Sequence, residues 1–100
     1  MPVMHIALQE GFSNDDVAVR VAGREVLRQP GVKTRMQIGL AKSLEVEVAL
    51  GRAEIAVDVP SRGASSLIQV DVTTNVYVGV SLTEDGRITH QVSTEPFRYA

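Results

Sequence analysis

Leu44-Glu45-Val46-Glu47-Val48-Ala49-Leu50-Gly51-Arg52-Ala53-Glu54-Ile55-Ala56-Val57-Asp58-Val59 alternates apolar residues with charged or small ones on both sides of a Gly-Arg step. Period two is the mark of a strand with one buried face. A hairpin must also bring the apolar positions of both strands to the same side. A two-residue Gly51-Arg52 loop does so. It sets Leu50 against Ala53, Val48 against Ile55 and Val46 against Val57, with Gly51 at the first position of a type II′ turn. On the wet face this register sets Glu45 directly opposite Asp58.

The same alternation runs outward in both directions. Toward the N-terminus it reads Val32, Thr34, Met36, Ile38, Leu40, with Ala41-Lys42-Ser43 as a loop pairing Leu40 with Leu44, and before that Val17, Val19, Val21. A tight turn at Gly23 joins Val17–Val21 to Glu25–Arg28, and an N-terminal strand covers Val3–Leu8. Toward the C-terminus it reads Ile68, Val70, Val72, then Val76, Val78, Val80, Leu82, then Ile88, His90, Val92. Thr73-Thr74-Asn75 is an odd loop that keeps the faces of its flanking strands matched, with Asn75 able to turn left-handed. A two-residue Asp85-Gly86 turn would put Ile88, His90 and Val92 on the wet face. A three-residue Glu84-Asp85-Gly86 loop, with Gly86 left-handed at a G1 bulge, instead pairs Leu82 with Ile88, Val80 with His90 and Val78 with Val92.

Composition agrees. Sixteen of the 100 residues are valine, with six threonines and five isoleucines, and β-branched side chains suit a pleated, half-buried surface. Alternation in place of continuous apolar runs argues for antiparallel sheets with one wet face. Turns recur at the spacing of a sandwich or small barrel. The expected fold is an all-β, antiparallel, seven- to eight-stranded β-sandwich, Ig-like or prealbumin-like, without substantial helix. Residues 1–100 form a single domain.

Val19-Arg20-Val21-Ala22-Gly23-Arg24-Glu25-Val26, together with the Gly51-Arg52 step between two alternating stretches, resembles small PEGA-type and transthyretin-like β-sandwich domains. The likeness spans about half of the chain. Gln29-Pro30-Gly31-Val32 stands where PEGA domains usually carry a Thr-Pro step. The resemblance implies a recognition or scaffolding role and carries over no functional residue.

Several function classes are excluded or disfavoured. At 44% hydrophobic with a net charge of −2, the chain has neither the low hydrophobicity nor the high charge of a disordered segment, and zero cysteines preclude a disulfide framework. No basic excess exists to neutralise a phosphate backbone. No stretch reaches the length of a spanning helix, and Met1–Glu10 lacks a basic start and a long apolar run. The expected address is cytoplasmic, with no nucleic-acid or membrane partner.

Chemistry is sparse. The only histidines are His5 and His90, without helical metal-ligand spacing. His5 reads as an edge-strand surface residue and His90 as a partly buried or sheet-end one. Ser61, Ser65, Ser66 and Ser81 lack a nucleophile elbow, and the eight glycines are scattered singly, so no phosphate loop exists. No cofactor and no catalytic activity are expected.

Two surfaces stand out. Glu45, Glu47, Glu54 and Asp58, with His90, form a candidate ligand or divalent-cation face, carboxylates being the oxygen ligands hard cations choose; this face is the alternative reading, and it would be the place for an enzymatic role. Lys33 and Arg35 of the preceding strand are the expected counter-charges. Asn14-Asp15-Asp16 is a second acidic cluster, read as an Asx turn, which Glu84-Asp85 could join. The other surface is aromatic: Phe97, Arg98 and Tyr99 of the tail, with Tyr77 near Asp71, are the expected interface residues. Phe97 and Tyr99 either dock on their own sandwich or insert into a neighbour. The uncharged first strand is the expected site of self-pairing. The chain is thus read as a self-associating binding or assembly module, with a homo-oligomer or protein partner.

Overall fold

A computed structural model describes residues 1–98. Over them the chain forms β1 Val3–Leu8, β2 Asp15–Val21, β3 Arg24–Val32, β4 Lys42–Glu47, β5 Gly51–Val59, β6 Ala64–Val72, β7 Val76–Leu82 and β8 Ile88–Ser93, with a 3₁₀ turn at Pro60–Arg62. The strands make two four-stranded sheets: β4-β1-β7-β8, the first sheet, and β3-β2-β5-β6, the second. The expected all-β sandwich is what the chain adopts.

Alternation decides which side chains fill the core between the sheets. Met4, Ile6 and Leu8 of β1, Val78 and Val80 of β7, and Val19, Ile55 and Val57 of the second sheet have no measurable exposure. Burying a side chain of this size stabilises the fold by about 1.5–3 kcal/mol. Two hairpins form where expected, the β2–β3 one at its expected turn and the β7–β8 one in its expected register. Ala22 and Gly23, at φ 51° and 80°, close the β2–β3 turn, with Val21 opposite Arg24. Leu82, Val80 and Val78 pair with Ile88, His90 and Val92, and Gly86 is left-handed at φ 83°.

Four expectations are corrected. β4 and β5 are not a hairpin: β4 pairs with β1, while β5 pairs with β2 and β6. The Val48 N–H donates to Pro2 O, holding the end of β4 on the first sheet. Ala49 and Leu50 then cross to the other sheet, leaving Leu50 69% exposed. β6 and β7 likewise sit in different sheets, and Asn75 turns its side chain to accept from the Val3 N–H at 2.8 Å instead of adopting positive φ. Third, Val32–Leu40 is not one strand. Thr34 is pinned to residues 9–12, its hydroxyl donating to Gln9 O and accepting from the Phe12 N–H. An Arg35–Leu40 bridge then closes a turn, with Met36 89% exposed. Fourth, β1 is not an edge. It lies between β4 and β7, antiparallel to the first and parallel to the second, so the first sheet is mixed, not purely antiparallel.

Candidate binding site

Because Met4, Ile6 and Leu8 face the core, their neighbours on β1 face out, and the register carries this across the first sheet. Glu45, His5, Tyr77 and Ser93 form one outward row over β4, β1, β7 and β8; Ser43, Ala7, Gly79 and Gln91 form the next. The second row is low, built from small residues at three of its four positions. Gly79 has a specific reason: a Cβ there would lie 2.6 Å from Gln9 Oε1. The buried Gln9 side chain lies across this glycine and accepts from Gln91 Nε2 at 3.3 Å.

The tail completes the depression. Pro96 and the half-buried Phe97 turn back over the sheet, so that a groove of about 550 Å³ opens between them and His5, Ala7, Ser43, Glu45 and Tyr77. His5 is fixed from two sides. Its ring stacks on Tyr77 with centroids 4.4 Å apart and planes 13° from parallel, and its Nδ1 lies 3.3 Å from Glu45 Oε1. The groove therefore offers an apolar wall, a rigid aromatic pair and one carboxylate. That mixture of apolar lining with few oriented polar groups is typical of recognition sites.

Tyr77, Phe97 and Glu45, predicted from separate arguments, come together here. Tyr77 is not near Asp71, which pairs with Arg52 on the second sheet. Arg98 is exposed, and Tyr99 lies outside the described residues. Phe97 is half-buried and lines the groove over its own first sheet.

The acidic face is dispersed. Separating β4 from β5 puts Glu45 and Glu47 on the first sheet and Glu54 and Asp58 on the second, so Glu45 does not oppose Asp58. Glu54 accepts from Gln69 Nε2 at 2.8 Å, and Asp58 lies 3.5 Å from Arg20. Arg35 is in the turn before β4 and does not flank Glu47. His90 keeps its place opposite Val80 and is exposed on the sheet's last strand, so it is the sheet-end histidine of the two readings and not the partly buried one. Among the described residues, no three His, Cys, Asp or Glu side chains could share a metal ion.

Asp15 has a structural task. It is buried, accepting from the Ser13 N–H, Ser61 Oγ and Arg62 Nε at 2.8 Å each and from Arg62 Nη2 at 3.2 Å. Burial works to raise its pKa, but the Ser13 N–H, the Arg62 and Ser61 hydrogen bonds and the Arg62 charge outweigh it and hold the carboxyl below its ordinary value.

Nothing in the sequence marks His5, Gln9 and Gly79 as parts of one site. The outward phase of His5 was legible, but its neighbours depend on β1 lying between β4 and β7, which nothing local encodes. No protein-family model, curated protein or solved structure matches the chain. No helix of the described residues is long and apolar enough to cross a membrane.

Proposed function

We propose that the protein is a non-catalytic binding and assembly module that uses the groove on the outer face of the first sheet to grip an apolar or aromatic segment of a protein partner. The observation that carries this reading is the convergence of Phe97, Tyr77 and His5 on one groove. Aromatic side chains bury much area while losing few rotors, which is why they anchor interfaces. The recognition or scaffolding role implied by the PEGA- and transthyretin-like resemblance points the same way, and a reducing, cytoplasmic setting fits a chain without cysteine.

Photo-crosslinking tests it. With p-benzoylphenylalanine in place of Phe97 and irradiation in the cells that make the protein, a discrete adduct is expected, identified by mass as a second copy or another single protein. Adding Tyr77→Ala should reduce its yield severalfold. Crosslinks confined to the chain itself would overturn the reading.

A further inference from the structure

A sheet edge presents a row of unpaired N–H and C=O groups, which natural sandwiches blunt with charge, proline, bulges or short strands. The four edges here are not equally blunted. β3 carries Arg24, Glu25, Arg28 and Pro30 and two register shifts against β2. β4 carries Lys42, Glu45 and Glu47. β6 carries Asp71, and its inward side chains Ile68, Val70 and Val72 are fully covered by the core. β8, Ile88-Thr89-His90-Gln91-Val92-Ser93, has no Asp, Glu, Lys, Arg or proline. Of its apolar side chains Val92 is 48% exposed, and Ile88 packs against the core but stays only half-buried.

The hydrogen-bond pattern shows which backbone groups of β8 are free. The Thr83 N–H donates to Arg87 O, closing the loop before β8. Val80 O and Leu82 N are directed the other way, bonding Gln9 N and Glu10 O. Antiparallel pairing alternates, so Thr89, Gln91 and Ser93 turn their backbone groups toward β7, while Ile88, His90 and Val92 turn theirs outward. Pro96 and Phe97 lie over the sheet face and not along this edge.

We propose that β8 pairs antiparallel with β8 of a second copy of this chain, about a two-fold axis at His90, joining two first sheets into one continuous sheet. The three outward-directed residues are spaced evenly about His90. One register therefore satisfies all of them in both copies with about six hydrogen bonds: Ile88 against Val92 of the second copy, His90 against His90, Val92 against Ile88. The register keeps core-side faces together, pairs the half-buried Ile88 with the exposed Val92, and sets Thr89 against Gln91 on the other side. At each end Arg87 of one copy falls against Ser93 of the other, where β8 ends. This rests on the assembly role assigned above but uses a surface separate from the groove.

The test is native mass spectrometry and light scattering of the full chain over a dilution series, for wild type, His90→Lys and Phe97→Ala. Wild type should show twice the 10.8 kDa chain mass. His90→Lys puts like charges face to face across the axis and should weaken dimerisation by at least about tenfold, with unchanged circular dichroism because His90 is exposed. Amide exchange gives the register independently: Ile88, His90 and Val92 should gain protection as the dimer forms, while Thr89 and Gln91 are protected throughout. A wild-type monomer at every concentration, or a dimer that survives His90→Lys, overturns the proposal. A dimer lost in Phe97→Ala but kept in His90→Lys overturns it in favour of the groove. A His90→Lys monomer that still forms the residue-97 crosslink to another protein supports both readings separately.

Discussion

At the scale of single residues, the most consequential polar group is Asp15, whose carboxylate joins the start of β2 to Ser61 and Arg62 of the 3₁₀ turn. Replacing it by Asn removes the charge while keeping the shape, and Arg62, 28% exposed, can relax into water. A loss of about 1.5–3 kcal/mol, the worth of hydrogen bonds to a charged group, is therefore expected, seen as a lower urea midpoint. The loss should depend on pH in a definite direction. The folded carboxyl has a pKa below 3.8, so its contribution is complete above the unfolded value and disappears as pH falls through the lower folded one. Wild type and Asp15→Asn should accordingly converge in stability below about pH 3.8; a constant gap down to pH 2 would show that the pairing carries no charge component. Gly86 gives a second single-residue measure. A Cβ there would meet only Arg62 Cβ, at 3.9 Å, so Gly86→Ala isolates the conformational cost of φ 83°, about 1 kcal/mol. A neutral result in thermal unfolding would rule out the left-handed bulge.

At the scale of elements, the β2–β3 turn holds an avoidable strain. Ala22 sits at φ 51°, costing an L-residue with a methyl side chain roughly 1–2 kcal/mol, while Asn-Gly is the preferred pair for a turn with both central φ positive. Ala22→Asn should raise stability by about 0.5–1 kcal/mol, and a lowered denaturation midpoint would contradict the turn assignment. The same elements show what was legible. Alternation identified Val46, Ile55, Val57, Val70 and Val78 as inward-facing, and all are buried. Face parity also fixed the β7–β8 register through Gly86. Parity could not tell a hairpin from a crossing between sheets, because both sheets turn their apolar faces to one core. Apolar residues stay inward whether the chain folds back beside itself or steps across. The β4–β5 and β6–β7 connections are such crossings, and the supposed Glu45–Asp58 pair vanished with the hairpin. Val32–Leu40 failed for another reason: Thr34 is held by residues 9–12, a non-local bond that overrides the local period. The groove was legible only in pieces, since His5, Tyr77 and Phe97 meet through the parallel β1–β7 pairing and the returning tail.

At the scale of the molecule, these crossings have a mechanical consequence. With β4 and β5 in opposite sheets, and β6 and β7 likewise, the chain passes repeatedly between layers, and no sheet is a contiguous stretch of sequence. Neither sheet can separate from its partner without exposing the shared core of Met4, Ile6, Val19, Ile55, Val57 and Val78. The sandwich should therefore open as one unit. Native-state hydrogen exchange reads this directly: the central amides of β1 and β7 in the first sheet, and of β2 and β5 in the second, should share one opening free energy to within about 1 kcal/mol. That value should match the unfolding free energy from urea. The turn after Arg35, with Met36 in solvent, should exchange through much smaller openings. A first sheet that opened several kcal/mol more easily than the second would mean that the crossings connect two weakly coupled layers. It would also place the groove and the β8 edge on the looser layer, where ordering on partner binding would oppose affinity.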